Sequence, residues 1–190
     1  MYHLFKLINS IDNDDTLTIY IDESDYVDGF TSHLGLKFEN GNIKQSNTQK
    51  LRLIEPDTDI FELPEITYTS IINMPSSDFQ KIIRKLTEIS DRLEIKSVGE
   101  DLIFKCTGQF AESVTKRSEA NESMNFILKQ DPTKIIQGEF SLKYLSYFVK
   151  CTNLCPQIEL YLANDRPLVV CYKVASLGEI KLYLAPLKTN

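Results

Sequence analysis

Asp12, Asp14 and Asp15 fall within four residues, and carboxylates so close together could hold the ions of a two-metal nuclease site. The same Asp/Asn run also suits a helix-to-strand turn, because both side chains hydrogen-bond nearby backbone. Asp14→Asn separates the two readings, since it abolishes metal-dependent cleavage only in the first. The two histidines, His3 and His33, have no nucleophile or carboxylate at motif spacing. A lone histidine is more often structural than catalytic. Cys151-x-x-x-Cys155 lacks the second Cys or His pair that would complete four zinc ligands. Together with Cys106 and Cys171, these residues read as reduced, mostly buried thiols. No phosphate-cradling glycine loop is present among the 7 glycines. Neither catalysis, nor a metal, nor a cofactor is expected.

A second kind of chemistry needs only charge and spacing. The chain of 190 residues carries a net charge of −6, yet Phe140 to Gln157 contains no Asp or Glu. Its only charges are Lys143 and Lys150, two helical turns apart. Lys81 and Arg84 stand three apart, again on one helical face. Lys6 sits likewise in the first helical stretch. Acids gather elsewhere: Asp12, Asp14, Asp15, Asp22, Glu23, Asp25 and Asp28 lie between Lys6 and Lys37 with no Lys or Arg among them. Any one such helix fits an ordinary solvated face. Three together in an acidic chain point to contact with phosphates rather than with base edges, and so to sequence-independent binding.

These cations ride on a unit that recurs at intervals of roughly sixty to seventy residues. A helix with one apolar stripe is followed by alternating strands. Helix one is YHLFKLINSI, with Leu4, Leu7, Ile8 and Ile11 on one face. Helix two is SSDFQKIIRKLTEI, with Phe79, Ile82, Ile83, Leu86 and Ile89. Helix three is SLKYLSYFVK, with Leu142, Leu145 and Val149 inward and Phe148 flanking. Ser76 or Ser77 is the expected N-cap of helix two. Strands are expected at TLTIYID, HLGLKF and KLRLIE, then RLEIKS, LIFKCTG and ESVTKRS, then QIELYLA, LVVCYKV and EIKLYLA. YTSIINM and KIIQGEF lead into helices two and three, and the first copy is read without a leading strand. The fold class is therefore α+β, helices packed on one face of antiparallel sheets. Ile54 to Tyr68, with two prolines and five acids, reads as an extended connector. No run reaches the length of a membrane span, and the N-terminus lacks the pattern of a secretory signal, so an intracellular protein is expected.

NMPSSDFQKIIRKL, SLKYLSYFVKCTNL and RPLVVCYKVASLGEIKLYLAPLK resemble the eukaryotic-type DNA sliding clamps, the proliferating cell nuclear antigen family. The most specific pieces are the PLVV-x-Y-K-V-A-x-x-G run, the terminal Y-L-A-P, and the acidic connector ending in LPEITY. The resemblance implies a DNA-clamp fold whose helices line the inner face of a ring, a homotrimer around double-stranded DNA. On that template residues 1–53 are the second half of the N-terminal domain, its first half-repeat absent. Residues 54–68 are the interdomain connector and residues 69–190 the C-terminal domain. Lys6, Lys81, Arg84, Lys143 and Lys150 match the basic lining positions.

Family partners insert a short peptide with apolar anchors beside the connector. The matching positions are Phe61, Leu63, Tyr68, Pro167, Tyr183, Ala185 and Pro186. On the residues alone, Tyr183 and its neighbours also fit a terminal strand packed on the core. Subunits of the family join by edge strands. Gln45, Thr48, Gln49 and Leu51 on one edge, and Ala111, Ser113, Thr115 and Arg117 on the other, match that interface. A pair of solvated edges fits these residues equally. The family modifies a lysine in a turn that here reads SVGED, with Gly99 in its place, so that regulation is not expected. The implied function is a processivity factor. Its partners would be DNA polymerase, flap nuclease, ligase and clamp loader, in the nucleus or at a viral replication site. The alternative is a clamp-like module that binds partner peptides or another clamp subunit without encircling DNA.

Overall fold

The structure, a computed structural model, describes residues 2–27, 29–54, 65–120, 123–129 and 131–188. The chain divides into two compact units, Met1–Leu63 and Pro64–Asn190.

In the first unit a short helix, α1 (Tyr2–Ile8), precedes β1 (Asp15–Tyr20). A two-strand hairpin follows, β2 (Tyr26–Val27) with β3 (Phe30–Thr31), then β4 (His33–Asn40) and β5 (Gln45–Arg52). The main sheet is antiparallel in the order β1-β4-β5. Among the described residues of this sheet, buried positions occur only on the middle strand, at Gly35, Leu36 and Phe38. The expected apolar stripe of α1 is half-buried, and no residue of that helix is fully buried. Seven residues over three strands cannot bury a whole helical face, so this unit has a thin core. The strand expected at KLRLIE begins earlier than its apolar residues suggest. The turn at 41–44, with Lys44 at a φ of 51°, brings polar Gln45 into register with Asn40.

The second unit holds the repeat twice. β6 (Ser70–Pro75) runs straight into α2 (Ser76–Thr87), then β7 (Arg92–Val98), β8 (Asp101–Thr107), β9 (Glu112–Ser118) and β10 (Asn125–Leu128). β11 (Ile135–Ser141) runs straight into α3 (Leu142–Phe148), a 3-10 stretch (Val149–Leu154), β12 (Gln157–Leu162), β13 (Leu168–Val174) and β14 (Gly178–Leu184). Two antiparallel sheets result, ordered β10-β6-β12-β13-β14 and β11-β7-β8-β9. Each repeat thus donates its leading strand to the other's sheet: β6 pairs with β12, and β11 with β7. That exchange makes the two repeats one core. Phe79, Ile83 and Leu86 of α2 meet Leu142 and Leu145 of α3 over Leu93, Phe104, Leu160 and Val170 of the sheets.

Ser76 is not an N-cap. The cap position is Pro75, without a side-chain hydrogen bond, because the strand delivers the chain directly into the helix. The buried Ser76 Oγ lies 2.7 Å from the Cys155 carbonyl and 3.1 Å from that of Thr152, fastening α2 to the 3-10 stretch. Gly99 turns the chain between β7 and β8 at a φ of 57°, a left-handed conformation that glycine adopts without strain.

The four cysteines are free, Cys106 and Cys171 buried, Cys151 and Cys155 half-buried. Burial first, then Glu179 and Glu159, push the Cys171 thiol up to about 11. Near pH 8 its thiolate fraction is roughly a hundredfold below that of an ordinary exposed thiol. Native alkylation should therefore mark Cys151 and Cys155, with Cys106 and Cys171 reacting only after denaturation. Peptide mass mapping reads the difference.

Candidate nucleic-acid interface

α2 and α3 pack side by side, and the Gln80 side chain donates to the Val149 carbonyl at 2.8 Å. Because both helices press one face into the same core, their other faces turn outward together. On α2 that face carries Lys81, Arg84 and Lys85, all exposed. On α3 and the 3-10 stretch it carries Lys143 and Lys150. Lys150 stands on the tighter 3-10 turn, two residues past the end of α3.

These cations are nearly uncompensated. Lys81 has one long contact, 3.9 Å to Asp78, and its side chain is 78% exposed. Asp78 is itself held by Arg117 of β9. Among the described residues, Arg84, Lys143 and Lys150 make no salt bridge. A cation without a carboxylate partner keeps its field for an incoming anion. Two aromatic rings stand among the lysines, a feature absent from the sequence expectations. Tyr144 and Tyr147 are 52% and 49% exposed. Their rings meet edge to face at 6.4 Å, with the Lys150 ammonium 5.0 Å above the Tyr147 ring. Lys6, in the first unit, is also exposed and stands 4.8 Å over the Tyr2 ring.

The residues expected to line a peptide pocket are placed as follows. Phe61 and Leu63 lie outside the described residues. Tyr68 packs edge to face on Tyr161 at 5.5 Å. Burial, with a smaller push from Tyr183, raises its hydroxyl to about 12, and Arg166 opposes the shift. That hydroxyl has no hydrogen-bond partner among the described residues. Tyr183 is 36% exposed on β14, and the register that ends at Leu168–Leu184 sets Pro167 beside Ala185. Tyr68, Pro167, Tyr183 and Ala185 thus gather at one margin of the five-stranded sheet. Pro186 instead lines a cleft with Gly138, Glu139, Asn164 and Asp165, because the Leu187 amide bonds the Glu139 carbonyl at 2.7 Å.

β5 and β9 each end a sheet. Gln45 and Thr48 are exposed, while Gln49, Leu51, Ala111, Ser113 and Thr115 are half-buried. Arg117 is engaged by Asp78 within its own unit.

The Asp15 amide bonds the Asp12 carbonyl in a tight turn, and the Asp15 carboxylate accepts from Asn40 at 2.9 Å. No cluster of three metal-binding side chains exists among the described residues. His33 does meet a carboxylate, which its spacing in sequence did not reveal: the β2–β3 hairpin brings Asp25 within 3.1 Å. Ser32 Oγ lies 2.9 Å from the same Nδ1. A relay needs the hydroxyl and the carboxylate on opposite ring nitrogens, so this trio is structural.

The model of the proliferating cell nuclear antigen C-terminal domain matches residues 62–187. That span takes in both strand–helix–strands repeats, the cationic faces of α2 and α3, and the Tyr68–Tyr183 margin. The match covers two thirds of the sequence, the antiparallel α+β fold is consistent with it, and the chain belongs to the proliferating cell nuclear antigen family of DNA sliding clamps.

Proposed function

We propose that this chain is the subunit of a ring that encircles duplex DNA and tethers replication and repair enzymes to it. Members of the family are non-enzymatic scaffolds, and the tether needs only topology and charge. The observation that carries the reading is the set of cations on the adjacent outer faces of α2 and α3, of which only Lys81 meets a carboxylate, at 3.9 Å, among the described residues, in a chain whose net charge is −6. Contacts of that kind hold phosphate without reading sequence, and so permit sliding. Polymerase, flap nuclease, ligase and clamp loader would dock short peptides at the Tyr68–Tyr183 margin, where apolar anchors supply most of the affinity. The site of action would be the nucleus or a viral replication centre. No helix among the described residues is long and apolar enough to cross a membrane. In domain terms, residues 1–53 would belong to the N-terminal clamp domain, 54–68 to the connector and 69–190 to the C-terminal domain.

Ring closure would join β5 of one subunit to β9 of the next, two edges of 8 and 7 residues. Light scattering over a concentration series should then give three times the 21.8 kDa protomer mass. Carboxylates placed at Thr48, Ser113 and Thr115 should return the monomer, because like charges across a strand pair repel. A concentration-independent monomer for the unaltered chain would remove the ring. One observation favours the module that binds partners without encircling DNA. Among the described residues β1 pairs on one side only, whereas β7 and β12, which open the corresponding sheets of the second unit, are paired on both. An open edge of that kind invites another chain.

A further inference from the structure

We propose that the Tyr144–Tyr147 pair is a stacking platform for unpaired nucleobases, so that the α3 face prefers single-stranded or gapped DNA to uninterrupted duplex. The inference rests on the reading of this surface as the DNA-facing one and names a second class of contact made there. The two helices differ in a way that phosphate binding leaves unexplained. α2 exposes Ser77, Lys81, Arg84, Lys85 and Thr87, with no aromatic ring among them. α3 exposes two tyrosines, about half of each accessible, flanked by Lys143 and Lys150.

A single exposed aromatic residue is ordinary. Here two rings hold each other edge to face at 6.4 Å, and the Lys150 ammonium sits 5.0 Å over one of them. The pair is therefore ordered before any ligand arrives, and stacking costs little side-chain entropy. A phosphate backbone has no use for a ring face, whereas a base does. In duplex DNA the base faces are occupied by their neighbours. In single strands, gaps and frayed ends they are free, and every base offers one, so the preference is for strand state and not for sequence. Lysines on either side supply the backbone contact that such a platform needs. Glu139 and Glu159 are the nearest acids in sequence, and the 3-10 stretch carries none, so no carboxylate in that run repels the strand.

The test uses the full chain, a labelled oligothymidine and a duplex of similar length, in one buffer at one salt concentration. Tyr144→Leu combined with Tyr147→Leu should weaken oligothymidine binding by at least tenfold, roughly the loss of one stacked base, with duplex binding unchanged within about twofold. Tyr144→Phe with Tyr147→Phe should keep the single-strand affinity, since the rings remain. If the leucine variant binds oligothymidine as well as the parent does, the platform is refuted. If the phenylalanine variant loses as much as the leucine variant, the contact is a hydroxyl to phosphate and the base reading is refuted equally. Lys81→Glu with Lys143→Glu should weaken both ligands. Unchanged affinity for both would overturn the DNA-facing surface itself, a failure distinct from that of the tyrosines.

Discussion

Lys81→Glu combined with Lys143→Glu is expected to abolish clamp-dependent processive synthesis while leaving the protein's thermal unfolding unchanged. Each phosphate-contacting cation contributes about −0.9 to the slope of log affinity against log salt, so removing two flattens that slope by about 1.8. Reversal adds repulsion to the loss. One variant site lies on each of two packed helices, which prevents the remaining cations from simply shifting the DNA across the face. Stability is spared because neither lysine is buried, and the one ion pair involved, Lys81 with Asp78 at 3.9 Å, is exposed. Such pairs contribute about 0 to 1 kcal/mol. Binding of partner peptides should persist, since the Tyr68–Tyr183 margin contains neither residue. Salt titrations of DNA affinity, paired with a primer-extension assay, check the result. An unchanged slope with undiminished processivity would reject the tether.

Phe79→Ala is expected to cost the second unit about 3 to 5 kcal/mol, enough to threaten its folding outright. Phe79 is fully buried, on the face of α2 that meets Phe104 of β8 at a ring separation of 6.3 Å. Because β6 and β11 are exchanged between the two sheets, its cavity opens where both repeats meet, and no single repeat can close around it. Urea unfolding followed by hydrogen exchange should show protection lost together in β6, β7, β12 and β13. Exchange confined to α2 would instead mean that the repeats fold independently. The first unit offers an internal comparison. With Gly35, Leu36 and Phe38 the only buried residues among those described in its sheet, it should exchange faster than the second unit even in the parent protein.

Local periodicity was enough to place the helices and most strands. Phe79, Ile82, Ile83 and Leu86 are buried where a 3.6-residue repeat puts them, as are Leu142, Leu145 and Val149. The alternation in RLEIKS and QIELYLA likewise marks inward residues of β7 and β12. The cations of α2 and α3 were equally legible, because an exposed helical face is a property of spacing alone. β2, β3 and β10 were not anticipated. They are two to four residues long, and their pairing depends on partners distant in the chain or on a tight turn. Alternation alone placed β5 too late, at KLRLIE, because a polar edge strand needs only backbone pairing on one side and its side chains give no alternation to read. The family resemblance puts that edge at about Gln45 to Arg52.

What the sequence determined by itself was the family, the α+β class and the segregation of positive charge onto helices, all written in residue type and spacing. Only the tertiary structure decided which sheet each strand joins. β6 and β11 have the same alternating pattern whether they pair within their own repeat or across to the other. It alone turned Ser76 from a cap into a buried clasp, brought Asp25 to His33, and tied Arg117 of an edge strand to Asp78. It also decided that Tyr144 and Tyr147 stand outside the core: an aromatic residue on an amphipathic helix has no periodic signature that separates a ring packed inward at the flank, such as Phe148, from one left to the solvent.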